Sequence, residues 1–171
     1  PDINDFTRGL KKLLKPAGTI TLEFAYLLNL ILKNEFDTVY HEHFSYLSLY
    51  TVSRIFEGAG LRVWDVERLP THGGSLRVYG CHDDDRRITT SNVQDILLEE
   101  KQFGLQQPVA YQKFQERANR IKNDLLSFLI EQKRAGKIVA GYGAAAKGNT
   151  LLNYAGIKND LVSYVCDAAP S

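Results

Sequence analysis

The segment TVYHEHFSY, residues 38–46, carries several side chains that could hold or move protons. A carboxylate beside an imidazole raises the basicity of the imidazole and fixes its tautomer, and a tyrosine hydroxyl can donate to a developing oxyanion. Together these groups suit the removal of a proton next to a carbonyl. In an extended segment Tyr40 and Glu42 would face one way. The two histidines, His41 and His43, would face the other, so a kink is needed to bring Glu42 and His43 together.

The same residues allow two other interpretations. The histidines of the HEH triplet, residues 41–43, could ligate a metal ion, with Glu42 or His72 as a third ligand. The segment could also be a polar loop that its aromatic residues anchor to the core. The residues alone leave acid–base chemistry, metal binding and a polar loop open.

A second group of candidate residues lies in PTHGGSLRVY, residues 70–79. The paired glycines, Gly73 and Gly74, free the backbone for an unusual turn beside His72. Arg77, two residues into the next predicted strand, could fork onto a carboxylate or a phosphate. The alternative is a hairpin turn with a solvent-facing histidine and a surface arginine.

A third group lies in GYGAAAKGN, residues 141–149, between a predicted strand and a predicted helix. Gly141 and Gly143 would let backbone N–H groups approach a phosphate at the helix N-terminus, and Lys147 adds a positive charge. Asp167 ends the next predicted strand, where a dinucleotide-binding unit places an acid that binds a ribose. The alternative is a tight turn whose small residues only permit close packing.

The elements that must position these groups alternate between helix and strand patterns, which predicts an α/β fold. Predicted helices cover residues 5–15, 25–36, 47–60, 108–136 and 150–156, and predicted strands cover residues 19–24, 61–70, 75–82, 137–143 and 161–167. The last strand, helix and strand form a βαβ unit. The charge run DDDRR, residues 83–87, predicts a solvated linker, so we place a domain boundary after Arg86.

Composition excludes several classes of protein. The formal net charge is +1, with no basic face that could follow a nucleic acid, and no apolar run approaches the ~20 residues of a membrane span. The two cysteines, Cys81 and Cys166, follow β-rich runs as small buried core residues would, which favours a reducing, cytoplasmic setting.

Three stretches in order resemble the S-adenosylmethionine-dependent sugar C-methyltransferase family. GLKKLLKPAGTITLEF resembles the helix, turn and fifth strand late in the methyltransferase domain. The stretch from EFDTVYHEHFSY to SLRVYGCH is similar to the continuation of that domain, and GYGAAAKGNTLLNYAG with CDAAPS resembles the βαβ unit opening the carboxy-terminal domain. The resemblance implies that residues 1–86 belong to a methyltransferase-type Rossmann-like sheet and residues 87–171 to a second, incomplete Rossmann-like αβα domain.

The resemblance also implies a reaction at C-3 of a nucleotide-linked 4-keto-6-deoxy sugar. A base removes the proton next to the ketone, and the resulting enolate takes the methyl group of S-adenosylmethionine. The family's Tyr-x-Glu-His motif falls on Tyr40, Glu42 and His43. We therefore expect His43 to be the base, Glu42 its partner or an alternative base, and Tyr40 a donor to the oxyanion. The residues expected near the nucleotide-sugar are His72, Gly73, Gly74, Arg77, Gly141, Gly143, Lys147 and Asp167.

Two features of the family are absent from the sequence: a four-cysteine zinc domain and the glycine-rich loop that binds S-adenosylmethionine. The resemblance thus implies an inactive fragment that lacks most of the cofactor site, with structural zinc expected only in a missing N-terminal domain and Glu23 as a marginal contact to the cofactor. The expected partner is a nucleotide-sugar, without nucleic acid or membrane, and the expected state is a monomer or weak dimer. The alternatives are a nicotinamide-dependent oxidoreductase fragment, which Asp167 would suit, and a non-catalytic nucleotide-sugar binding module.

Overall fold

The computed structural model describes residues 2–168, which divide into two compact units. The first unit comprises residues 2–33 and 45–111, and the second comprises residues 34–44 and 112–168. The segment that carries the Tyr-x-Glu-His motif therefore belongs to the second unit, although most of its flanking sequence belongs to the first.

The first unit is an antiparallel sheet with helices. Its elements are α1 (Ile3–Leu13), β1 (Ile20–Ala25), α2 (Leu27–Lys33), α3 (Leu49–Gly58), β2 (Leu61–Leu69), β3 (Ser75–His82) and α4 (Ser91–Phe103). The strand order is β1-β3-β2, and β3 is antiparallel to both neighbours. This register places Glu23 of β1 and Glu67 of β2 on either side of Arg77. The two strands predicted over residues 61–70 and 75–82 are confirmed, and they pair with each other.

The core of the first unit follows from the alternation of apolar residues in its strands. Fully or nearly fully buried side chains include Leu61, Val66, Leu76, Val78, Phe56 and Leu49. Burying side chains of this size stabilises a fold by about 1.5–3 kcal/mol each. Gly80 of β3 lies against this core, where an added Cβ would stand 2.3 Å from the Phe56 ring. The sheet thus holds the strand that carries Arg77 firmly in register.

The second unit is built on one long helix. Its elements are α5 (Phe114–Arg134), β4 (Gly141–Tyr142), α6 (Ala146–Ala155) and β5 (Val165–Cys166). The strands β4 and β5 are parallel, so the predicted βαβ unit is confirmed. Together with the first unit it makes an α/β fold, as the alternation of patterns predicts.

Several local predictions need correction. The predicted strand over residues 137–143 is only two residues long, and it is not buried, since Ile138 is 80% and Tyr142 82% exposed. Cys166 is likewise exposed, whereas Cys81 is buried as expected. The reason is that β4 and β5 pair over only two residues each. A parallel strand with apolar residues on both faces is buried only where other elements cover both faces of its sheet, and these two strands are not covered in that way. The helix α6 begins at Ala146, inside the predicted small-residue turn.

The helix α4 was not predicted, and it affects where the chain divides. Val93 and Ile96 of α4 are buried, and the helix packs on β2 and α3 within the first unit. The compact units therefore separate after Tyr111 and not after Arg86, since α4 is part of the first hydrophobic core. The assignment of residues 1–86 and 87–171 to two family domains stays a prediction. No helix within residues 2–168 is both long and apolar enough to span a membrane.

Candidate active site

The Tyr-x-Glu-His motif forms a turn, which we call the acid–base turn, Tyr40–His43. The backbone N–H of His43 donates to the carbonyl of Tyr40 at 3.0 Å, which closes the turn. The kink brings the Tyr40 and His43 rings together, with centroids 4.4 Å apart and planes inclined by 35°. Two side chains that a straight strand would place on opposite faces thus lie side by side.

The imidazole of His43 is oriented by the backbone. Its Nδ1 lies 2.9 Å from the carbonyl oxygen of Thr38. Because a carbonyl can only accept, Nδ1 carries the hydrogen, and the neutral ring keeps its lone pair on Nε2. The Thr38 carbonyl also accepts from the N–H of Tyr40 at 3.1 Å. One buried residue therefore fixes both the tautomer of the imidazole and the start of the turn.

Glu42 does not take the position expected for a partner of His43. Its carboxylate lies 4.0 Å from His41, and the side chains of His41 and Glu42 are 89% and 69% exposed. The Nδ1 position of His43 is filled by the Thr38 carbonyl instead. The tight turn explains this arrangement, because it brings residues 40 and 43 together and leaves residues 41 and 42 at its tip. Glu42 thus remains accessible for an approaching substrate.

A three-residue 3₁₀ turn, Phe36–Thr38, precedes the acid–base turn and packs on the second unit's helices. The Phe36 ring lies 5.1 Å from the Tyr154 ring of α6. Asn34 is buried with a left-handed φ of 55°, and its amide, oriented to satisfy both partners, meets the Phe114 carbonyl and the Ala118 N–H of α5 at 3.3 and 3.2 Å. The acid–base turn is therefore carried by α5 and α6.

Arg77, predicted to fork onto a carboxylate or phosphate, is held by carboxylates of its own sheet. Its guanidinium donates to Glu23 at 3.0 Å and lies 3.8 Å from Glu67. Thr71 donates to the other oxygen of Glu23 at 3.0 Å. The hydrogen bonds from Arg77 and then Thr71 lower the pKa of Glu23 below its ordinary value. Glu23 is thus fixed as an anion, and any ligand phosphate would have to compete with two carboxylates for Arg77.

The paired glycines form the unusual turn that the sequence predicts. His72, Gly73 and Gly74 all have positive φ, at 52°, 84° and 126°. A φ of 126° is one that L side chains rarely adopt, and a Cβ on Gly74 would also stand 2.1 Å from the amide nitrogen of Asn29, so glycine is strongly favoured there. The turn places His72 near enough to Glu23 to contribute, more weakly than Arg77, to the lowered pKa of that carboxyl. Whether this turn binds a nucleotide-sugar stays a prediction.

The loop after β4 is closed by Asp167. Its carboxylate accepts the N–H of Ala144 at 2.6 Å, and Gly143, with φ of 98°, supplies the bend. Gly141 packs close to β5, where an added Cβ would meet the Val165 side chain at 3.2 Å. Lys147 lies in the first turn of α6. The predicted residues of this loop come together, and Asp167 uses part of its carboxylate to hold the loop itself.

Sequence patterns missed one buried acid. Glu100 of α4 is fully buried, and its two oxygens accept the N–H groups of Leu49 at 2.6 Å and Tyr50 at 2.9 Å. Burial raises the pKa of Glu100, while these hydrogen bonds act in the opposite direction. It caps the first turn of α3 from a neighbouring helix. Glu100 follows the buried residue Ile96 by four positions, so the two lie on the same face of the helix. This spacing is the sequence signal that indicates its burial.

No group of three or more His, Cys, Asp or Glu side chains that could hold a metal ion occurs within residues 2–168. Glu23, the residue expected as a marginal contact to S-adenosylmethionine, is paired with Arg77 and Thr71. We therefore assign no step involving that cofactor to the described residues.

Comparison with known proteins decides the family. The model of the C-methyltransferase C-terminal domain matches residues 70–171. This chain belongs to that family. It is also 36% identical to the C-methyltransferase NovU of Streptomyces niveus over 167 aligned residues. The alignment covers 98% of this chain and 40% of that protein. The family resemblance drawn from the motifs is confirmed, and the chain spans about two-fifths of the length of this C-methyltransferase.

Proposed function

We propose that the protein carrying this chain is a C-methyltransferase that moves the methyl group of S-adenosylmethionine to a carbon next to a ketone. Membership of the C-methyltransferase C-terminal domain family and the similarity to a C-methyltransferase support the reaction class. S-adenosylmethionine would supply an electrophilic methyl group. The described residues are given the complementary task, which is to make the carbon nucleophilic.

The observation that carries this proposal is the orientation of His43. With Nδ1 hydrogen-bonded to the Thr38 carbonyl, the neutral ring presents an unprotonated Nε2. Nε2 takes the proton from the carbon, the C–H electron pair forms the C=C bond of an enolate, and the negative charge moves to the ketone oxygen. Positioned general bases accelerate such steps by about 10²–10⁴-fold.

The Tyr40 hydroxyl would stabilise the charge that develops on the ketone oxygen. Its ring lies beside the His43 ring, with centroids 4.4 Å apart, so one carbonyl compound could meet both groups. A hydrogen bond to a developing oxyanion lowers the barrier because it is stronger in the transition state than in the ground state. Glu42, exposed at the tip of the acid–base turn, is proposed as an alternative base or as a contact to the substrate.

The proposed substrate is a nucleotide-linked 4-keto-6-deoxy sugar, methylated at C-3. Its diphosphate would meet the backbone N–H groups and Lys147 at the start of α6, and Asp167 could reach a ribose hydroxyl. The turn at His72, with Arg77 beside it, is proposed as a further contact. We also propose that the protein acts without nucleic acid or membrane, in the cytoplasm, as a monomer or weak dimer.

The direct test is methyl transfer by the full-length protein. It is incubated with S-adenosylmethionine carrying a ¹³C-labelled methyl group and with a nucleotide-linked 4-keto-6-deoxy sugar, and the product is analysed by NMR. A labelled methyl group bonded to C-3 is the expected result. Binding of a nicotinamide cofactor without binding of S-adenosylmethionine would contradict the proposal and favour an oxidoreductase.

A further inference from the structure

Tyr154 of α6 contacts Phe36, which begins the 3₁₀ turn that precedes the acid–base turn. The ring of buried Phe36 lies 5.1 Å from the Tyr154 ring, with the planes inclined by 56°. Aromatic pairs at this separation are attractive beyond simple burial. Phe36 begins the 3₁₀ turn, and its carbonyl accepts the N–H of Val39 at 3.0 Å. A shift of Phe36 would therefore move the whole 3₁₀ turn.

The position of Tyr154 is itself fixed by polar contacts. Its hydroxyl accepts from the side-chain amide of Gln115 at 2.7 Å and donates to the side-chain oxygen of Asn119. Gln115 also donates to Asn119 at 3.1 Å, which joins the three side chains into a small network. Lys122, which like Gln115 and Asn119 belongs to α5, stands 5.6 Å from the centroid of the Tyr154 ring. The network ties α6 to α5 at the level of Phe36.

The step from Tyr154 to His43 is short. Phe36 and Thr38 belong to the same 3₁₀ turn, and the carbonyl of Thr38 orients the imidazole. Asn34 anchors the start of the segment to α5 through the Phe114 carbonyl and the Ala118 N–H. Phe36 is buried, and a cleft of about 200 Å³ adjoins it and Tyr154. The aromatic contact with Tyr154 is thus one of the contacts that hold the turn.

We propose that Tyr154, held by Gln115 and Asn119, is a positioning residue that sets the orientation of the His43 imidazole through Phe36 and Thr38. This inference rests on the proposed function where it concerns catalysis, since His43 is there the base. It also makes a claim about geometry alone, namely that the tautomer of His43 depends on the Tyr154 ring. The two claims can be tested separately.

The geometric claim is tested by ¹⁵N NMR of the histidine rings in the full-length protein, without substrate or cofactor. A histidine free in solution favours the hydrogen on Nε2, whereas the Thr38 carbonyl selects the Nδ1–H form of His43. Tyr154→Ala should shift His43 toward the Nε2–H form. Tyr154→Phe keeps the ring beside Phe36 but loses the hydrogen bonds to Gln115 and Asn119, so it should shift the tautomer less than Tyr154→Ala does.

The matched control is Leu129→Ala in α5. Leu129 is buried at 2% exposure, so the change weakens the second unit, and it lies about two helical turns beyond Lys122, the last α5 residue of the Tyr154 contacts described above. It should lower the melting temperature and leave the His43 tautomer unchanged. Should Tyr154→Ala fail to fold, Phe36→Leu removes the same aromatic contact from the other side and decides in its place.

The catalytic claim is tested by solvent deuterium exchange at the substrate carbon. Tyr154→Ala should lower the exchange rate at saturating substrate about ten- to a hundredfold with a KM within about threefold, since misplacement by about 1 Å can cost 10²-fold. Tyr154→Phe should recover most of the rate.

The outcomes separate the two proposals. A His43 tautomer that is the same in wild type, Tyr154→Ala and Leu129→Ala would overturn the positioning role whatever the activity. If the tautomer shifts only in Tyr154→Ala and the wild-type protein exchanges no substrate proton, the positioning role stands and the proposed function is refuted. A KM increase with an unchanged saturating rate would show that Tyr154 acts on substrate binding and would overturn the catalytic claim.

Discussion

His43 and His41 stand two residues apart, and the structure separates them by what each ring contacts. His43 has one nitrogen fixed by the Thr38 carbonyl and a tyrosine ring beside it, whereas His41 is 89% exposed at the tip of the turn. A base must be held as well as present, because the geometry of proton transfer is strict. This difference assigns the proposed chemistry to His43.

Tyr40→Phe should lower the exchange rate of the full-length protein by about 10–10³-fold. The change keeps the ring that packs on His43 and removes only the hydroxyl proposed to donate to the ketone oxygen. The measurement is deuterium exchange followed by NMR. Tyr50→Phe, at a tyrosine that is 40% exposed on α3, is the control and should leave the rate unchanged. Equal rates for Tyr40→Phe and wild type would remove Tyr40 from the mechanism.

Thr38→Val tests which atom of Thr38 matters. The Thr38 hydroxyl is buried and has no hydrogen-bond partner among the described residues, whereas its carbonyl orients His43. Valine has the same shape and keeps the carbonyl, so we expect an unchanged or up to about 1 kcal/mol larger free energy of unfolding in urea. Exchange activity should stay within about threefold. A large loss of activity without loss of stability would show that the hydroxyl itself contacts a ligand.

At the level of elements, Glu100 joins α4 to α3. Glu100→Ala should lower the free energy of unfolding by about 2–4 kcal/mol, because it leaves the buried N–H of Leu49 and the part-buried N–H of Tyr50 without an acceptor and opens a cavity. Glu99→Ala, beside it but 44% exposed in its side chain, is the control and should cost less than about 1 kcal/mol. Similar losses for both variants, measured in urea, would contradict the capping role.

The stabilising effect of Glu100 should also depend on pH. Burial raises its pKa above the ordinary value of 4.5, so ionising the folded protein costs more than ionising the unfolded chain. The stability that wild type has over Glu100→Ala should therefore be largest below about pH 4.5, the ordinary pKa, and should decrease as pH rises from there through the raised pKa.

Glu23 should show the opposite pH dependence. Its pKa is lowered by Arg77 and Thr71, so the stability it contributes is present above its ordinary value of 4.5 and is lost as pH falls through the lowered pKa. Glu23→Gln should therefore be less stable than wild type at pH 7 and equally stable in strong acid, as measured by urea unfolding at a series of pH values. In an Arg77→Met background Glu23→Gln should have a smaller effect, and an unchanged effect would contradict the pairing.

The elements also show what sequence can predict. The hairpin of β2 and β3, the long helix α5 and the βαβ order follow from periodicity and glycine signals, and all three are confirmed. The orientation of His43 could not be predicted, because it depends on a backbone carbonyl in a 3₁₀ turn that no side-chain pattern marks. The exposure of Tyr142 could not be predicted either, since the apolar residues of the strand predicted over 137–143 indicate that it can be buried and not which element covers it.

For the whole molecule, the balance of charge is close to neutral, with 21 Lys and Arg against 20 Asp and Glu. An anionic substrate must therefore be attracted by local groups, such as Lys147 at the start of α6, and not by a general positive field. The chain places its proposed acid–base groups and this helix start in one compact unit, 34–44 with 112–168. The proposed deprotonation is therefore assigned to the second unit.

The central claim is that His43 removes the proton next to the ketone. The most direct measurement is deuterium incorporation into a nucleotide-linked 4-keto-6-deoxy sugar by the full-length protein in deuterated solvent, without a methyl donor. Wild type and His41→Gln should exchange at rates within about threefold of each other, and His43→Gln should be slower by about 10²–10⁴-fold. Exchange by His43→Gln at the wild-type rate would contradict the account.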